Sequence, residues 1–219
     1  METFNNIEEQ LNSYKNALNI KNTMFGNTFH LHYHVLDHLI NSLQKENITY
    51  VEIGVYNGGS MCFVMQNKKV KKIIGIDPIL FPGQEENIGS NINKFNINNI
   101  NTKILKKYSN DKTILDELKL LGGIDVLFID GDHSFNGVIS DFEIYYKYMN
   151  PSGYIVFDDY QDYSHCPQVK PAVNFIVNNI KNKKYIDKEF EIIGSLNNYC
   201  PEIISERDNL NNEFILKIK

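Results

Sequence analysis

The residues IDVLFIDGDHSFNGVISDFEIYYKYMNPSGYIVFDD (124–159) carry the strongest structural signal in the chain. This stretch begins with the apolar run IDVLFID (124–130) and ends with GYIVFDD (153–159), and each run is typical of a buried strand in a parallel sheet. The residues between them, 135–149, predict a helix that ends before Pro151. We therefore expect a strand–helix–strand unit with both strands in one sheet.

Both strands of this unit end in aspartates. Asp130 closes the first apolar run, and Asp158 and Asp159 close the second. If the strands are neighbours, their carboxyl ends lie about 4.8 Å apart, at the edge where α/β proteins bind ligands. Carboxylates crowded in this way repel one another unless a hard cation lies among them, so these acids are candidate ligands of a divalent metal. The plainer alternative for Asp158 and Asp159 is that they cap a loop.

The surrounding sequence predicts an α/β protein. Runs with strand and helix character alternate from residue 49 to residue 121, which indicates a doubly wound, mostly parallel sheet with helices on both faces. The asparagine-rich segment 91–103 is interpreted as a loop that leads into a strand. EFEIIGS (189–195) and NEFILKIK (212–219) are expected to form an antiparallel hairpin at the edge, because no clear crossover helix separates them. The other expected strands are 49–55, 71–77 and 102–108, and the other expected helices are 60–66, 112–121 and 169–180.

The first 45 residues predict a helical extension. Apolar residues at spacings of three and four, within 6–20 and again within 36–43, indicate two amphipathic helices. We expect this extension (1–45) to act as a lid or as a dimer contact. Residues 46–219 are then expected to form one globular domain, since a chain of 219 residues is too short for two full catalytic domains.

The segment VEIGVYNGGS (51–60) ends the first strand of the sheet and opens a helix. Its glycines allow a tight turn and a close approach of the backbone to a ligand, although such turns also occur for packing reasons alone. Glu52 lies inside the strand, where a carboxylate is costly to bury unless it meets a cationic or donor-rich partner. Asp77 ends the next strand, at the position where an acidic side chain can accept hydrogen bonds from both hydroxyls of a ribose. Together these residues predict a nucleoside ligand.

This loop departs from the glycine pattern of dinucleotide-binding enzymes. Tyr56 stands where the middle glycine of that pattern would be, and Glu52 adds negative charge nearby. Both features disfavour a phosphate-bearing cofactor and favour a sulfonium nucleoside with an amino-acid tail. An NAD-dependent reductase on the same type of sheet is one alternative, and a non-catalytic binding module is another.

The overall composition disfavours several classes of protein. The net charge of −5 argues against a nucleic-acid partner, because phosphate binding needs a basic surface. The sequence shows neither the order of a signal peptide nor an apolar run of membrane-spanning length. Cys62, Cys166 and Cys200 are odd in number and widely spaced, which disfavours a disulfide framework and favours a reducing compartment. We expect a cytoplasmic protein that acts on a small molecule, with no membrane partner.

Four segments together resemble a known family. EIGVYNGGS (52–60), GIDP (75–78), FIDGDHSFNGVISDFE (128–143) and GYIVFDDY (153–160) are similar to segments of the class I S-adenosylmethionine-dependent methyltransferases. Within that class the chain resembles, over residues 49–195, the metal-dependent enzymes that O-methylate sugars of macrolide and aminocoumarin antibiotics. The resemblance implies a Rossmann-like seven-stranded sheet, S-adenosylmethionine as cofactor, and Mg²⁺ or another divalent cation bound by Asp130, Asp158 and Asp159. By that resemblance the residues that hold the cofactor are Glu52, Gly54, Gly58, Ser60 and Asp77, and Ser109 to Asp111 lie near the adenine. Tyr56, in the same loop, is also expected at the cofactor site.

Methyl transfer to a hydroxyl requires that its pKa be lowered by a cation or that a base remove its proton. His133 is the favoured base because an unperturbed imidazole titrates near neutral pH, and Asp132 is the alternative. The plainer interpretation is that Asp132 and Ser134 only cap the helix that follows. The sequence thus predicts a metal-assisted O-methyltransferase that acts on a sugar hydroxyl or another small polyhydroxylated acceptor, in a chain that could form a homo-oligomer.

Overall fold

The computed structural model describes residues 7–28, 33–195 and 213–219. In this part of the chain seven strands form one sheet: β1 (Ile48–Ile53), β2 (Val70–Ile76), β3 (Asn101–Leu105), β4 (Ile124–Ile129), β5 (Met149–Phe157), β6 (Phe190–Ser195) and β7 (Phe214–Ile218). Their order across the sheet is β3-β2-β1-β4-β5-β7-β6. The first five strands in that order are parallel, whereas β7 is antiparallel to both β5 and β6. The predicted doubly wound sheet with an antiparallel hairpin at its edge is confirmed.

The helices of the described residues cover both faces of the sheet. They are α1 (Ile7–Thr23), α2 (His34–Ser42), α3 (Gly59–Val64), α4 (Gln84–Phe95), α5 (Ile114–Leu120), α6 (Phe135–Tyr145) and α7 (Val169–Lys181). Residues of α1 to α4 form one apolar core with Val126 and Phe128 of β4, and residues of α5 to α7 form a second core with Leu127 and Ile129. Because alternate residues of a strand face opposite sides and both sides are covered, every residue of β4 is buried.

The prediction of a loop over 91–103 is wrong for its first five residues, which end α4. Asn91 is buried there, and its side-chain oxygen accepts a hydrogen bond of 2.8 Å from the backbone N–H of Phe25. Its amide nitrogen donates to the carbonyl oxygens of Phe25 and Asn57, each at 2.9 Å. This asparagine therefore connects the segment after α1 to the glycine loop, a role that polar composition alone conceals.

The predicted helix over 135–149 is also too long. α6 ends at Tyr145, a short 3₁₀ turn follows, and Met149 already belongs to β5. Met149 pairs with Ile124 and Tyr154 pairs with Val126, so the register of β5 shifts between these pairs. Pro151 lies inside this irregular stretch, where its missing N–H removes no regular ladder bond.

The described residues of the N-terminal extension pack on the sheet. Ala17 and Ile20 of α1 and Leu36 and Leu39 of α2 belong to the same apolar core as the strand residue Tyr50. These helices therefore cover one face of the sheet, and the role of residues 1–45 as a lid or dimer contact stays a prediction. Within the described ranges, no helix is both long and apolar enough to cross a membrane.

Candidate functional site

A cavity of about 430 Å³ opens at the carboxyl ends of β1, β2 and β4. Three apolar side chains of its wall are largely exposed, namely Leu80, Phe81 and Tyr108. The cavity joins residues predicted for the cofactor to one predicted metal ligand, Asp130, and to both candidate bases, at the edge of the sheet where α/β proteins bind ligands; Asp158 and Asp159 are not among its lining residues. The predicted site residues in its wall are Gly54, Tyr56, Asp77, Ser109, Asp130, Asp132 and His133.

The turn after β1 lies against the end of β4. Gly54 has a φ of +85°, and a Cβ atom at this position would lie 1.9 Å from the carbonyl oxygen of Asp130. On the other side of β1, the N–H of Gly54 donates to the carbonyl of Ile76 at 2.9 Å. Only glycine fits this position, because any side chain would collide with the backbone of the neighbouring strand. The loop predicted for the cofactor and the first predicted metal ligand are thus in direct contact.

Asp77 holds the glycine loop in place. Its carboxylate accepts hydrogen bonds from the backbone N–H groups of Val55 (2.8 Å), Tyr56 (3.0 Å) and Ile79 (2.7 Å). The side-chain amide of Gln84 donates a fourth bond at 3.0 Å. A carboxylate offers about four acceptor positions, so a ribose hydroxyl would have to take the place of one of these donors. Gln84 is the one side chain among the four donors; it is 2% exposed, and its amide also bonds the backbone of Tyr56 and Phe81. Sequence reasoning missed it because α4 was not predicted.

Glu52 is fully buried beneath the same loop. Its carboxyl group accepts hydrogen bonds from the hydroxyls of Tyr50 (2.5 Å) and Ser60 (2.6 Å), which confirms the expected donor-rich surroundings. Burial raises the pKa of Glu52 to about 8, and the two hydrogen bonds oppose this shift. Glu52, Ser60 and Gly58 are not among the residues that line the cavity, so their contact with a cofactor stays a prediction.

Replacement of Glu52 by glutamine is expected to make stability less dependent on pH. Because the folded-state pKa lies above the ordinary value of 4.5, the folded protein keeps a proton that the unfolded chain releases. The free energy of unfolding of the wild type therefore contains a contribution that falls as the pH rises from 4.5 through about 8. Glu52→Gln keeps the shape of the side chain but does not titrate. Urea unfolding at several pH values should show a shallower decline for the variant; parallel curves would contradict the burial of a titrating Glu52.

Asp130, Asp158 and Asp159 meet where β4 and β5 end. One carboxylate oxygen from each lies within 4.8 Å of the other two. Asp158 is 1% and Asp159 is 4% exposed, and the N–H of Asp158 donates to the carbonyl of Ile129 at 3.1 Å, which fixes the two strand ends side by side. Burial, followed by the charge of Asp158, raises the pKa of Asp130 to about 7. Buried oxygen ligands that repel one another in this way fit a hard divalent cation.

His133 lies against this cluster. Its Nε2 atom is 3.1 Å from Asp130 Oδ1 and 3.5 Å from Asp159 Oδ2. Burial by itself lowers the pKa of His133, but hydrogen bonds to Asp130 and Cys166 outweigh this effect and raise the pKa to about 12. In this arrangement the side chain is an imidazolium at neutral pH. The choice of His133 as base assumed a pKa near neutral, and this assumption does not hold here. Its assignment as the base stays a prediction.

Asp132 and Ser134 form the turn before α6. The hydroxyl oxygen of Ser134 accepts a hydrogen bond from the N–H of Gly137 at 3.0 Å, and Asp132 Oδ1 accepts one from the N–H of Ser134 at 2.9 Å. The capping interpretation is thus confirmed for Ser134. Asp132 also lines the cavity, so the alternative in which it acts as base stays a prediction as well.

Ser109, the predicted neighbour of the adenine, is fixed from below by α6. Its hydroxyl donates to Asp141, and its carbonyl oxygen accepts a hydrogen bond from the hydroxyl of Tyr145 at 2.8 Å. Burial raises the pKa of Asp141 to about 6, although the Ser109 hydroxyl stabilises its charged form. Sequence reasoning gave Asp141 and Tyr145 no role in the site, because both belong to the buried face of α6, where packing alone could account for them.

The strand order is that of a Rossmann-like fold. The glycine turn after β1 and the acid at the end of β2 are arranged as is typical of nucleoside-binding sites in such folds. Residues 51–160 match the model of a family described as "Methyltransferase domain". A protein of Acanthamoeba polyphaga mimivirus, described as uncharacterised, is 53% identical over 215 residues, which cover 96% of this chain and 97% of that protein. The chain therefore belongs to the methyltransferase-domain family and is a class I S-adenosylmethionine-dependent methyltransferase.

Solved structures share this fold at low sequence identity. An rRNA methylase from Streptococcus thermophilus is 13% identical with a TM-score of 0.59, and the match covers 84% of this chain and 95% of that one. An O-methyltransferase from Bacillus cereus, solved in complex with SAH, is 17% identical with a TM-score of 0.52, over 97% of this chain and 89% of that one. MycE, a methyltransferase of mycinamycin biosynthesis solved with Mg, SAH and mycinamycin VI, is 17% identical with a TM-score of 0.58, over 94% of this chain and 54% of that one. These likenesses confirm the fold that the sequence resemblance implied.

Proposed function

We propose that this methyltransferase transfers a methyl group from S-adenosylmethionine to a hydroxyl oxygen with the help of a divalent cation, of which Mg²⁺ is the first choice. The proposed acceptor is a sugar hydroxyl or another small polyhydroxylated molecule. One observation carries this proposal: the carboxylates of Asp130, Asp158 and Asp159 converge within 4.8 Å beside the cavity that the glycine loop and Asp77 line. Methyl transfer as such needs no metal cluster, whereas activation of a weakly acidic hydroxyl benefits from one.

The cofactor half of the cavity suits a sulfonium nucleoside. Leu80, Phe81 and Tyr108 present apolar surface to it, which matches the flat face of an adenine ring. The carboxylates of Asp77, Asp130 and Asp132 outnumber the single imidazolium of His133 in the remaining wall and give it a negative potential, which attracts a sulfonium cation and repels a phosphate. Exchange of the Gln84 amide for a ribose hydroxyl would leave the three backbone bonds of Asp77 intact.

The acceptor half of the cavity is the part lined by Asp130, Asp132 and His133, groups that would orient a hydroxyl and receive its proton. When bound there, a divalent cation supplies the positive charge that makes an acceptor hydroxyl more acidic. Asp130, Asp158 and Asp159 would hold that cation, and it would also replace the imidazolium of His133 as their counter-charge. A neutral His133 could then accept a proton at Nε2, the atom that lies nearest the carboxylates. Positioning of this kind contributes as much as about 7–11 kcal/mol to lowering the barrier.

Oxygen rather than nitrogen is the proposed methyl acceptor, and a small molecule rather than RNA is the proposed substrate. The choice of oxygen draws support from the carboxylate cluster, and the O-methyltransferase names of some structural relatives agree with it. The net charge of −5 argues against a phosphodiester substrate. The free thiols of Cys62 and Cys166 suit a reducing compartment such as the cytoplasm.

Calorimetry with S-adenosylhomocysteine is the first test, and a screen of nucleotide sugars and free glycosides with a labelled methyl donor is the second. We expect micromolar binding and label transfer that requires a divalent cation and stops with a chelator. Absence of binding at high micromolar concentration would overturn the cofactor assignment. Binding without turnover on any polyol would favour the alternative of a non-catalytic binding module, and a response to NADH would favour the reductase alternative.

A further inference from the structure

Cys166 lies beside the carboxylate cluster, although sequence reasoning gave it no role in the site. Its thiol donates a hydrogen bond of 3.0 Å to Asp159 Oδ2, and His133 Nε2 lies 3.5 Å from the same oxygen. One ligand atom from each of these three residues lies within 4.8 Å of the others. Asp159 therefore belongs to two different groups of potential metal ligands, one made of three carboxylates and one that contains an imidazole and a thiol.

We infer that His133, Asp159 and Cys166 form a second metal-binding group, which takes a thiophilic divalent cation such as Zn²⁺. Magnesium prefers ligand sets made of oxygen, whereas thiolate and imidazole ligands select zinc and similar ions. A site with three protein ligands leaves a fourth position open. Asp130 Oδ1, which is 3.1 Å from His133 Nε2, is a protein atom close enough to fill it.

The separations of the ligand atoms match tetrahedral zinc. With bond lengths of about 2.0–2.3 Å to nitrogen, oxygen and sulfur, ligand atoms in such a site lie roughly 3.3–3.7 Å from one another. The distances of 3.0 Å and 3.5 Å from Asp159 Oδ2 to the sulfur and to the imidazole nitrogen differ from this range by only a few tenths of an ångström at most. Small side-chain shifts therefore suffice for metal binding.

The loop that carries Cys166 is held by its own hydrogen bonds. The N–H of Cys166 donates to the carbonyl of Asp162 at 3.0 Å, and the carbonyl of Cys166 accepts from the N–H of Val169 at the start of α7 at 3.2 Å. The buried carboxylate of Asp162 also accepts bonds from the N–H groups of Ser164 and His165. Cys166 itself is 8% exposed, while the side chain of His133 is 34% exposed and lines the cavity through which an ion can reach the site.

Binding of a thiophilic ion to this group has three consequences. Binding of the thiophilic ion displaces the proton of the Cys166 thiol and any proton on His133 Nε2, and both pass to solvent. Two dications that share the carboxylate of Asp159 repel each other and divide its negative charge, so binding of one metal should weaken binding of the other. A thiophilic ion would also remove His133 from the acceptor half of the cavity, so it should inhibit methyl transfer. The binding itself requires no methyltransferase activity.

Titration of the full-length protein with Co²⁺, under reducing, oxygen-free conditions and without cofactor, tests this inference. The wild type should develop a near-ultraviolet sulfur-to-cobalt charge-transfer band together with strong visible bands of four-coordinate cobalt, and excess Mg²⁺ should weaken the apparent affinity. Cys166→Ser should lose the charge-transfer band. Two matched controls should keep it: Cys62→Ala removes the other thiol of the described residues, which lies in a different apolar core from Cys166, and Asp158→Asn alters the carboxylate set.

His133→Gln provides a second variant if Cys166→Ser folds poorly. It should keep the sulfur band but lower the affinity for Co²⁺ by more than the roughly 10–100-fold that loss of an outer-shell partner costs. A wild-type spectrum without a sulfur band, or a band that persists in Cys166→Ser, would overturn the inference. Failure of S-adenosylhomocysteine to bind while the cobalt spectrum is intact would instead overturn only the cofactor assignment of the proposed function.

Discussion

Asp158→Asn is expected to lower kcat for Mg²⁺-dependent methyl transfer by about 10³-fold, which corresponds to about 4 kcal/mol in the activation free energy. Asp158 is 1% exposed, and its carboxylate lies within 4.8 Å of those of Asp130 and Asp159. Asparagine has nearly the same size but removes one negative charge and one anionic oxygen, so the remaining pair should bind a hard cation weakly. Part of the lost activity should return when the Mg²⁺ concentration is raised.

The matched control for this variant is Asp116→Asn, which makes the same chemical change on the exposed surface of α5. The control should keep wild-type turnover, and both variants should bind S-adenosylhomocysteine normally. In the presence of a chelator, Asp158→Asn should melt at a temperature equal to or above that of the wild type, because it relieves repulsion with Asp130. Turnover that is unchanged in Asp158→Asn and insensitive to chelator would exclude metal-assisted catalysis.

The features that could be predicted from the sequence are those that depend on the residues of one strand or on two strands that pair side by side. β4 has a continuous apolar run over residues 126–129 because both of its faces are covered, and this pattern can be recognised without knowledge of the partner helices. The proximity of the aspartates at the ends of β4 and β5 could be predicted because the carboxyl ends of paired parallel strands lie at the same edge of the sheet. Hydrogen-bond donors around Glu52 could also be expected, because burial of a carboxylate inside a strand without such donors costs too much free energy.

The features that were missed depend on contacts between distant segments. The amide of Gln84 reaches Asp77 from the start of α4, a helix whose asparagines and glycine gave no apolar stripe strong enough to predict it. The position of Cys166 beside Asp159 results from the fold of the loop after β5, which sequence spacing does not reveal. Burial lowers the pKa of His133, and the hydrogen bonds to Asp130 and Cys166 together raise it above its usual value. Cys166 lies 33 residues away in the chain.

Gly54→Ala is expected to destabilise the protein by more than about 3 kcal/mol and to abolish binding of S-adenosylhomocysteine. The φ of +85° at Gly54 is strained for any residue with a side chain. In addition, the new Cβ atom would lie 1.9 Å from the carbonyl oxygen and 2.5 Å from the carbonyl carbon of Asp130. These are backbone atoms that cannot rotate away, so β1 and β4 would have to separate at the point where the cofactor loop meets the first predicted metal ligand.

Gly83→Ala is the control that isolates this collision from backbone strain alone. Gly83 also has a positive φ, +75°, but among the described residues a Cβ atom there would meet nothing within 4 Å apart from its own chain neighbours. Its replacement should therefore cost only the strain of a left-handed alanine, about 1–2 kcal/mol. Urea unfolding and calorimetry on both variants make the comparison. If the two alanine variants were equally stable and bound S-adenosylhomocysteine equally well, the close approach of the glycine loop to Asp130 would not be what holds the two halves of the site together.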